Sequence, residues 1–437
     1  MMAGKQGEMP PEDGLAGHDP GGQQAALPPT PASRGQWCLG AGIVLLVCGL
    51  LNTEPLYRPG TLRGFTSNVQ IGEAQAWRQG RLDLPERVWD TALKDGKVYS
   101  YFPPMFTILA AAVVPLFGGV PHEFILALVA VVPLGAYALF HRLTHSVAWA
   151  VVFALAYVCG TSVWPVLAKT ITYARPYHVN HTLASIGLLL MLLEYFGRRR
   201  VWPAAVGLLL AALSRQLTIL YALPLVFLAV ADGPRERRRH RLALAMGAVA
   251  LTGGVYLGLN TLKFGHPLRT GYMLNHEGRN DVFAREAREH GTLSLHWVPR
   301  NLYYTNLGFP RVHRVTVAGR DGVYVLPNTM GTGIWWTTPL LLLLLPDLPR
   351  LLRERRSLAL LGAAFGIYAL LMLWHATGAV QRGYNRYSLD YLPVLLALLA
   401  PRCIVGRRRW AALAMIGWSI AYFRVLLPMP HVQVWGG

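Results

Sequence analysis

The sequence predicts an all-α, polytopic membrane protein. It reads as a bundle of about 11 transmembrane helices with a juxtamembrane helix and two large extracytoplasmic loops. Three observations predict it. Of 437 residues, 53% are hydrophobic and 14% are charged, whereas a soluble chain carries about 25% charged residues. Apolar stretches recur along most of the length. The excess of basic residues, 41 Lys and Arg against 22 Asp and Glu, lies largely in short loops between those stretches.

Residues 1–35 are rich in Gly, Pro, Ala and Gln without an apolar period, which predicts a disordered cytoplasmic tail. The tail is too long and too mixed in charge for a signal-peptide start, so the next apolar run reads as an uncleaved first span. A transmembrane domain then covers 36–427, followed by a short outer tail, 428–437. The apolar stretches are 36–53, 121–140, 146–164, 179–197, 201–213, 216–231, 242–262, 331–346, 357–377, 386–400 and 410–427. Several fall short of the roughly 20 residues of a straight span, so they are expected to tilt or to meet at re-entrant turns. A further stretch, 102–118, starts at Pro103-Pro104 and ends at Gly118-Gly119, and reads as a helix on the membrane surface.

Charge tests that assignment. With 102–118 kept out of the bilayer, the loops 141–145, 198–200, 232–241, 347–356 and 401–409 share one side, with 17 Lys and Arg in 37 residues. The loops on the other side, 54–120 and 263–330, hold 16 in 135 residues. The denser side is cytoplasmic, giving a bundle with its N-terminus inside. The positive charge is thus mostly topological, and a nucleic-acid partner is excluded.

Within the first outer loop, Asn68 to Gln79 reads as a helix and Asp95-Gly96 as a turn. Within the second, Asp281–His290 reads as a short charged helix and 312–326 as a hairpin. Trp297, Tyr303 and Tyr304 suit the membrane interface. No inverted repeat relates the two halves. Cys38, Cys48, Cys159 and Cys403 form no CxxC pair, which predicts neither a disulfide nor a zinc site.

Ionisable groups at membrane depth are costly and therefore candidates for function. Arg215 lies between two short apolar helices on the outer side, where a guanidinium grips phosphate with forked hydrogen bonds or caps a turn. The stretch Gln381 to Asp390 offers two readings. Arg386 and Asp390, four residues apart, form a buried pair on one helix face; or Gln381, Arg382 and Arg386 make an anion site, with Asp390 as orienter or base. The stretch Lys169 to His181 contributes Lys169, Arg175 and His178, and His178 and His181 are spaced either as polar caps or as metal ligands. The first loop supplies the carboxylates Glu54, Glu73, Asp83, Glu86, Asp90 and Asp95. Glu54, just past the first span, and Glu73, on the loop helix, are the candidate general bases.

Five stretches resemble the GT-C superfamily of integral-membrane glycosyltransferases. They are Glu73–Leu84, Asp95–Pro104, Leu213–Gln216, Leu259–Tyr272 and Arg386–Pro393. The order is closest to the bacterial family-39-like branch, related to protein mannosyltransferases and lipid A aminoarabinose transferases. The resemblance implies transfer of a sugar from a polyprenyl-phosphate donor to an extracytoplasmic acceptor (glycan, lipid or protein) at the bacterial cytoplasmic membrane. It implies inversion, a first-loop carboxylate that activates the acceptor or orients a divalent metal, and basic residues that hold the leaving phosphate. Arg215 fits that last role, with Arg382 or Arg386 as partners. The sequence departs from the family at the start of the loop helix, where an acidic residue is usual and Asn68 stands instead. Asn68 can hydrogen-bond a substrate but takes no proton near neutral pH. Three options follow: Glu54 or Glu73 substitutes as base, the base comes from elsewhere such as Asp390, or the chain is no transferase and is instead a non-catalytic protein that binds a lipid-linked sugar, or a transporter.

Overall fold

The structure, a computed structural model, describes residues 33–51, 65, 68–88, 90–231, 235–277, 279, 281–317, 320–326, 330–378 and 383–426. Glu54, Gln381, Arg382 and nearly all of both tails lie outside the described residues.

The elements run α1 (Arg34–Leu51), α2 (Val69–Arg78), β1 (Thr91–Lys94), β2 (Lys97–Ser100), α3 (Met105–Phe117), α4 (His122–Thr144), α5 (Val147–Cys159), α6 (Val163–Tyr173), α7 (Pro176–Phe196) and α8 (Val201–Ser214). They continue with α9 (Ala222–Ala231), α10 (Arg238–Phe264), α11 (Gly271–His276), α12 (Val282–His290), α13 (Val298–Leu302), β3 (Arg311–Val317) and β4 (Arg320–Leu326). The chain ends with α14 (Ile334–Thr337), α15 (Leu348–Arg353), α16 (Arg355–Leu373), α17 (Leu392–Cys403) and α18 (Arg408–Ala421).

Among the described residues, five helices are long and apolar enough to cross a membrane, or six if α5 and α6 form one span bent by 63°. The remaining apolar stretches are shorter than the sequence pattern suggests, for local reasons. The stretch 146–164 breaks at Gly160-Thr161-Ser162. The stretch 216–231 opens on a 3₁₀ turn, Gln216–Tyr221, and 386–400 opens on another, Arg386–Asp390. The stretch 331–346 becomes α14 and a 3₁₀ run, Pro339–Asp347, with a proline at each end of that run.

The core is built around α7, which is largely buried. It crosses α8 at a point where both helices are bare: a Cβ added at Gly187 would lie 2.5 Å from the Gly207 carbonyl oxygen, and one at Gly207 2.6 Å from that of Gly187. Small residues at such a crossing let two backbones approach. At the other extreme, α10 is mostly unburied and runs along the periphery.

Two antiparallel hairpins are the only sheets among the described residues. In the first, Asp95 (φ 51) and Gly96 (φ 74) make the turn, and the register pairs Thr91 with Ser100. The second pairs Arg311 with Leu326 through Val317 with Arg320, at the place the sequence pattern gives. The charged helix at 281–290 is also present, capped by the Asp281 side chain on the Ala284 amide. Trp297 departs from the interface reading. It is buried, its Nε1 donates to the Gly291 carbonyl, and Arg300 covers its ring at 4.5 Å.

The first-loop helix α2 is fastened at both ends. Asn68 caps it, its Oδ1 accepting from the Ile71 amide at 2.7 Å. Farther along, Glu73 is fully buried and paired with Lys263 of α10. Thr107 of α3 donates to the second Glu73 oxygen at 2.6 Å, and Lys263 also donates to the Ser100 carbonyl at 3.1 Å. One carboxylate thus joins α2, α3, α10 and the end of β2. Both partners are satisfied, the condition under which a buried charge is tolerated.

Candidate functional site

The site gathers where α6 turns into α7. Ala174, in the left-handed region at φ 43, makes the elbow. A β-carbon there costs conformational energy unless the surroundings hold it. Asn68 supplies the hold, its Nδ2 donating to the Ala174 carbonyl at 2.9 Å. Both ends of the Asn68 amide therefore make a hydrogen bond within the protein. An aspartate here could cap α2 but has no donor for Ala174.

The elbow places Lys169 on the last turn of α6 and Arg175 directly before α7, whose first residue, Pro176, favours the helical start. Lys169 donates to the Tyr384 hydroxyl at 2.9 Å. Arg175 is exposed, donates to the Tyr177 hydroxyl at 3.0 Å, and lies 5.2 Å from the Tyr173 ring centre. Arg386 stands between the rings of Tyr177 and Tyr387, 5.1 Å from each. Among the described residues, none of these three cations has a carboxylate within ion-pair distance. Their charges converge on His178, whose buried Nδ1 has no hydrogen-bond partner among the described residues.

Arg215 and Asp390 behave differently. The guanidinium meets the carboxylate as a fork, Nε to Oδ1 at 3.1 Å and Nη2 to Oδ2 at 2.7 Å. Asp390 is 1% exposed. Its backbone carbonyl accepts from the Tyr221 hydroxyl at 2.9 Å, and His181 Nδ1 lies 3.7 Å from Oδ1. The sequence reading that pairs Arg386 with Asp390 is therefore corrected. They lie on a 3₁₀ turn, which has three residues per turn, so positions four apart diverge. Asp390 instead turns to Arg215, and Tyr387 carries Arg215 at 5.1 Å from its ring and Arg386 at the same distance.

The carboxylate that feels Arg175 and Arg386 is Asp90, which sequence reasoning counted in the loop but did not single out. It adopts the left-handed region at φ 68 and accepts from the Tyr101 hydroxyl at 3.4 Å. Burial pushes its carboxyl above the ordinary carboxylate value, against the pull of Tyr101, Arg279, Arg386 and Arg175. A signal for it existed: the Asp95-Gly96 turn sets the hairpin register, and extending that register by one residue puts Asp90 opposite Tyr101. Tyr272, at the start of α11, packs against Tyr101 with ring centres 4.8 Å apart and the rings tilted by 55°. Glu73 is paired with Lys263 and Thr107 and fastens α2 beside this arrangement.

Among the described residues, no three His, Cys, Asp or Glu side chains gather as a metal site. Cys38, Cys48, Cys159 and Cys403 form no disulfide with one another.

No protein-family model matches the sequence, and no curated protein matches it. The chain resembles two solved membrane proteins. One is ArnT from Cupriavidus metallidurans in the apo state, with a TM-score of 0.41 and 15% identity, covering 87% of this chain and 62% of that one. The other is the archaeal oligosaccharyltransferase AglB from Archaeoglobus fulgidus in complex with an inhibitory peptide and a dolichol-phosphate. Its TM-score is 0.47 with 14% identity, covering 89% of this chain and 55% of that one. This chain thus spans less than two thirds of the length of either.

Proposed function

We propose that this chain is a glycosyltransferase of a bacterial cytoplasmic membrane, with its N-terminus inside, moving a sugar from a polyprenyl-phosphate donor to an extracytoplasmic acceptor. The observation that carries the reading is a half-buried carboxylate, Asp90, that feels the cations Arg175 and Arg386, with Lys169 acting on the same His178 as they do; among the described residues none of the three cations has a carboxylate within ion-pair distance. Uncompensated cations at one edge of a membrane bundle call for an anion, and a lipid phosphate arrives at that height.

The chemistry is a single displacement. Asp90 takes the proton of the acceptor hydroxyl as its oxygen bonds to the anomeric carbon. The bond from that carbon to the phosphate oxygen breaks with inversion, and the electron pair leaves on the phosphate. Lys169, Arg175 and Arg386 stabilise the negative charge that develops there. Arg215 is tied to Asp390, and its proposed part is to hold Tyr387, and through it Arg386, in place. A divalent metal, if one is bound, would supply further charge stabilisation near Asp90.

The test is a transfer assay on purified protein in nanodiscs, with lipid extracts as donor and release of polyprenyl phosphate as readout. The expected result is release in the wild type and its loss in Asp90→Asn, with donor still bound. Donor binding without release in the wild type points to a lipid-linked-sugar binding protein.

A further inference from the structure

Behind the site lies a pair of histidines that the proposed reaction does not use. His276 ends α11, and His375 follows the end of α16. Both are 3% exposed, and their Nε2 atoms face each other at 2.9 Å with the rings nearly perpendicular. Such a contact is a hydrogen bond only if one Nε2 carries a proton and the other accepts. Adding a proton to the acceptor leaves two N–H groups pointing at each other. Neither Nδ1 has a partner among the described residues, so an imidazolium here has no acceptor to turn to.

The pair is mechanically linked to the site. Its helix, α11, carries Tyr272 one residue after its start, and the Tyr272 ring packs between Tyr101, tilted at 55°, and Trp374, edge-on at 85°, with centres 4.8 and 5.0 Å away. Gly271 permits this seat, since a Cβ there would lie 2.5 Å from the Tyr101 Cβ. Arg279, three residues beyond His276, is one of the cations acting on Asp90. The rest of the second loop is tied to the same place: His375 donates its amide to the Thr292 carbonyl at 3.0 Å, and Ser294 donates to the Leu373 carbonyl at 2.9 Å.

We propose that His276 and His375 form an acid-sensitive clasp whose protonation frees the segment 271–297 from the end of α16 and withdraws Tyr272 and Arg279 from the site. The withdrawal rests on the reading of the site given above. The charged groups around the pair are mostly cationic. His276 meets Arg279, Asp281 and Arg288, and the His375 carbonyl accepts from Arg300, itself paired with Glu286 of α12. His290 and His296 stack on each other beside Trp297, whose ring centre is 6.4 Å from that of His375. Burial and these cations pull the rings down to about 4 for His276 and about 3 for His375. The closed form therefore binds fewer protons than the open form between those values and the ordinary 6.5. It is favoured above 6.5 and loses ground as pH falls.

Hydrogen exchange of peptides within 271–297, corrected for intrinsic rate and measured on the full chain in nanodiscs, reads the clasp directly. Between pH 7.5 and 5.5 each histidine contributes about tenfold to opening, so the wild type is expected to open about a hundredfold more. His276→Gln keeps a hydrogen bond to His375 and removes one titration, leaving about tenfold. The double variant His276→Leu/His375→Leu is expected to show no change with pH. Equal protection at both pH values in the wild type overturns the clasp, as does a full hundredfold response in His276→Gln, which decides the matter even if the double variant fails to fold. Exchange requires no donor. Acid opening without transfer at any pH would therefore remove the transferase reading and keep the clasp, whereas transfer without acid opening would do the reverse.

Discussion

Arg215 and Asp390, 175 residues apart, meet as a two-bond fork between two 3₁₀ turns, one after α8 and one before α17. Each turn interrupts an apolar stretch, so the pair joins two broken helices at the same level. Removing one member leaves the other charge buried alone, which costs about 3–5 kcal/mol. Arg215→Ala and Asp390→Asn are therefore expected to lower the thermal unfolding midpoint in detergent. The double variant Arg215→Met/Asp390→Leu is expected to recover most of that stability but not transfer, because Arg386 shares Tyr387 with Arg215. Recovery of both would make the pair purely structural.

Glu73 and Lys263 make the same kind of contact with a different consequence. The loss falls on the attachment of α2 to α3 and α10. Glu73→Gln is expected to destabilise by about 3 kcal/mol or more, and Glu73→Gln/Lys263→Met by less. Turnover per folded molecule should stay within a few-fold of wild type, measured by active-site titration against folded protein from size exclusion. A hundredfold fall in turnover with unchanged stability would return Glu73 to the role of base.

Asp90 is the residue proposed for that role. Asp90→Asn is expected to lower kcat by about 10²–10⁴, the range of general acid–base work, with donor affinity retained. The base acts when deprotonated, and burial raises its carboxyl above the ordinary value of 3.8. Activity is therefore full above that raised pKa and lost as pH falls through it, and the acid limb of kcat/KM sits higher than a free carboxylate would place it. The His276→Gln background, where the clasp responds less, is the one in which to record the limb. A limb at or below 3.8 would assign the base elsewhere.

The sequence carried the large features because they depend on composition and period. Apolar stretches, the Asp95-Gly96 turn, the helix capped by Asn68 and the hairpin at 311–326 are local patterns. What escaped it depended on partners distant in the chain. Nothing near Glu73 says that Lys263 will neutralise it, and nothing near Asp390 says that Arg215 will reach it before Arg386 does. Asn68 was read for what it lacks, a titratable proton, whereas its amide end matters because it holds the strained Ala174 carbonyl. Glu54, Gln381 and Arg382 fall outside the described residues, so their parts remain sequence-level expectations. Asp90 was within reach of register counting. Its proposed importance comes from Arg175, just before α7, and Arg386, on the turn at 386–390, which no pattern in the first loop announces.

Those cations give the sharpest separation between binding and structure. Lys169, Arg175 and Arg386 rest on tyrosine rings and hydroxyls, so their loss leaves no buried carboxylate unpaired among the described residues. Stability is expected to change by less than about 1 kcal/mol for exposed Arg175, as for other surface positions. A charge-assisted hydrogen bond to phosphate is worth about 1.5–3 kcal/mol, so Lys169→Met, Arg175→Gln and Arg386→Gln should each lower kcat/KM for the donor by about tenfold to a hundredfold. If the cations stabilise the leaving phosphate more than the bound donor, kcat takes most of the fall and KM little of it. Arg386→Lys separates the two properties of that side chain. It keeps the charge but loses the planar guanidinium that lies 5.1 Å from the Tyr177 and Tyr387 ring centres, so partial activity is expected, between wild type and Arg386→Gln. Steady-state kinetics of the four variants against one lipid extract checks the set. Wild-type kcat/KM in all of them would remove the phosphate from this cluster and leave Asp90 without a leaving group to serve.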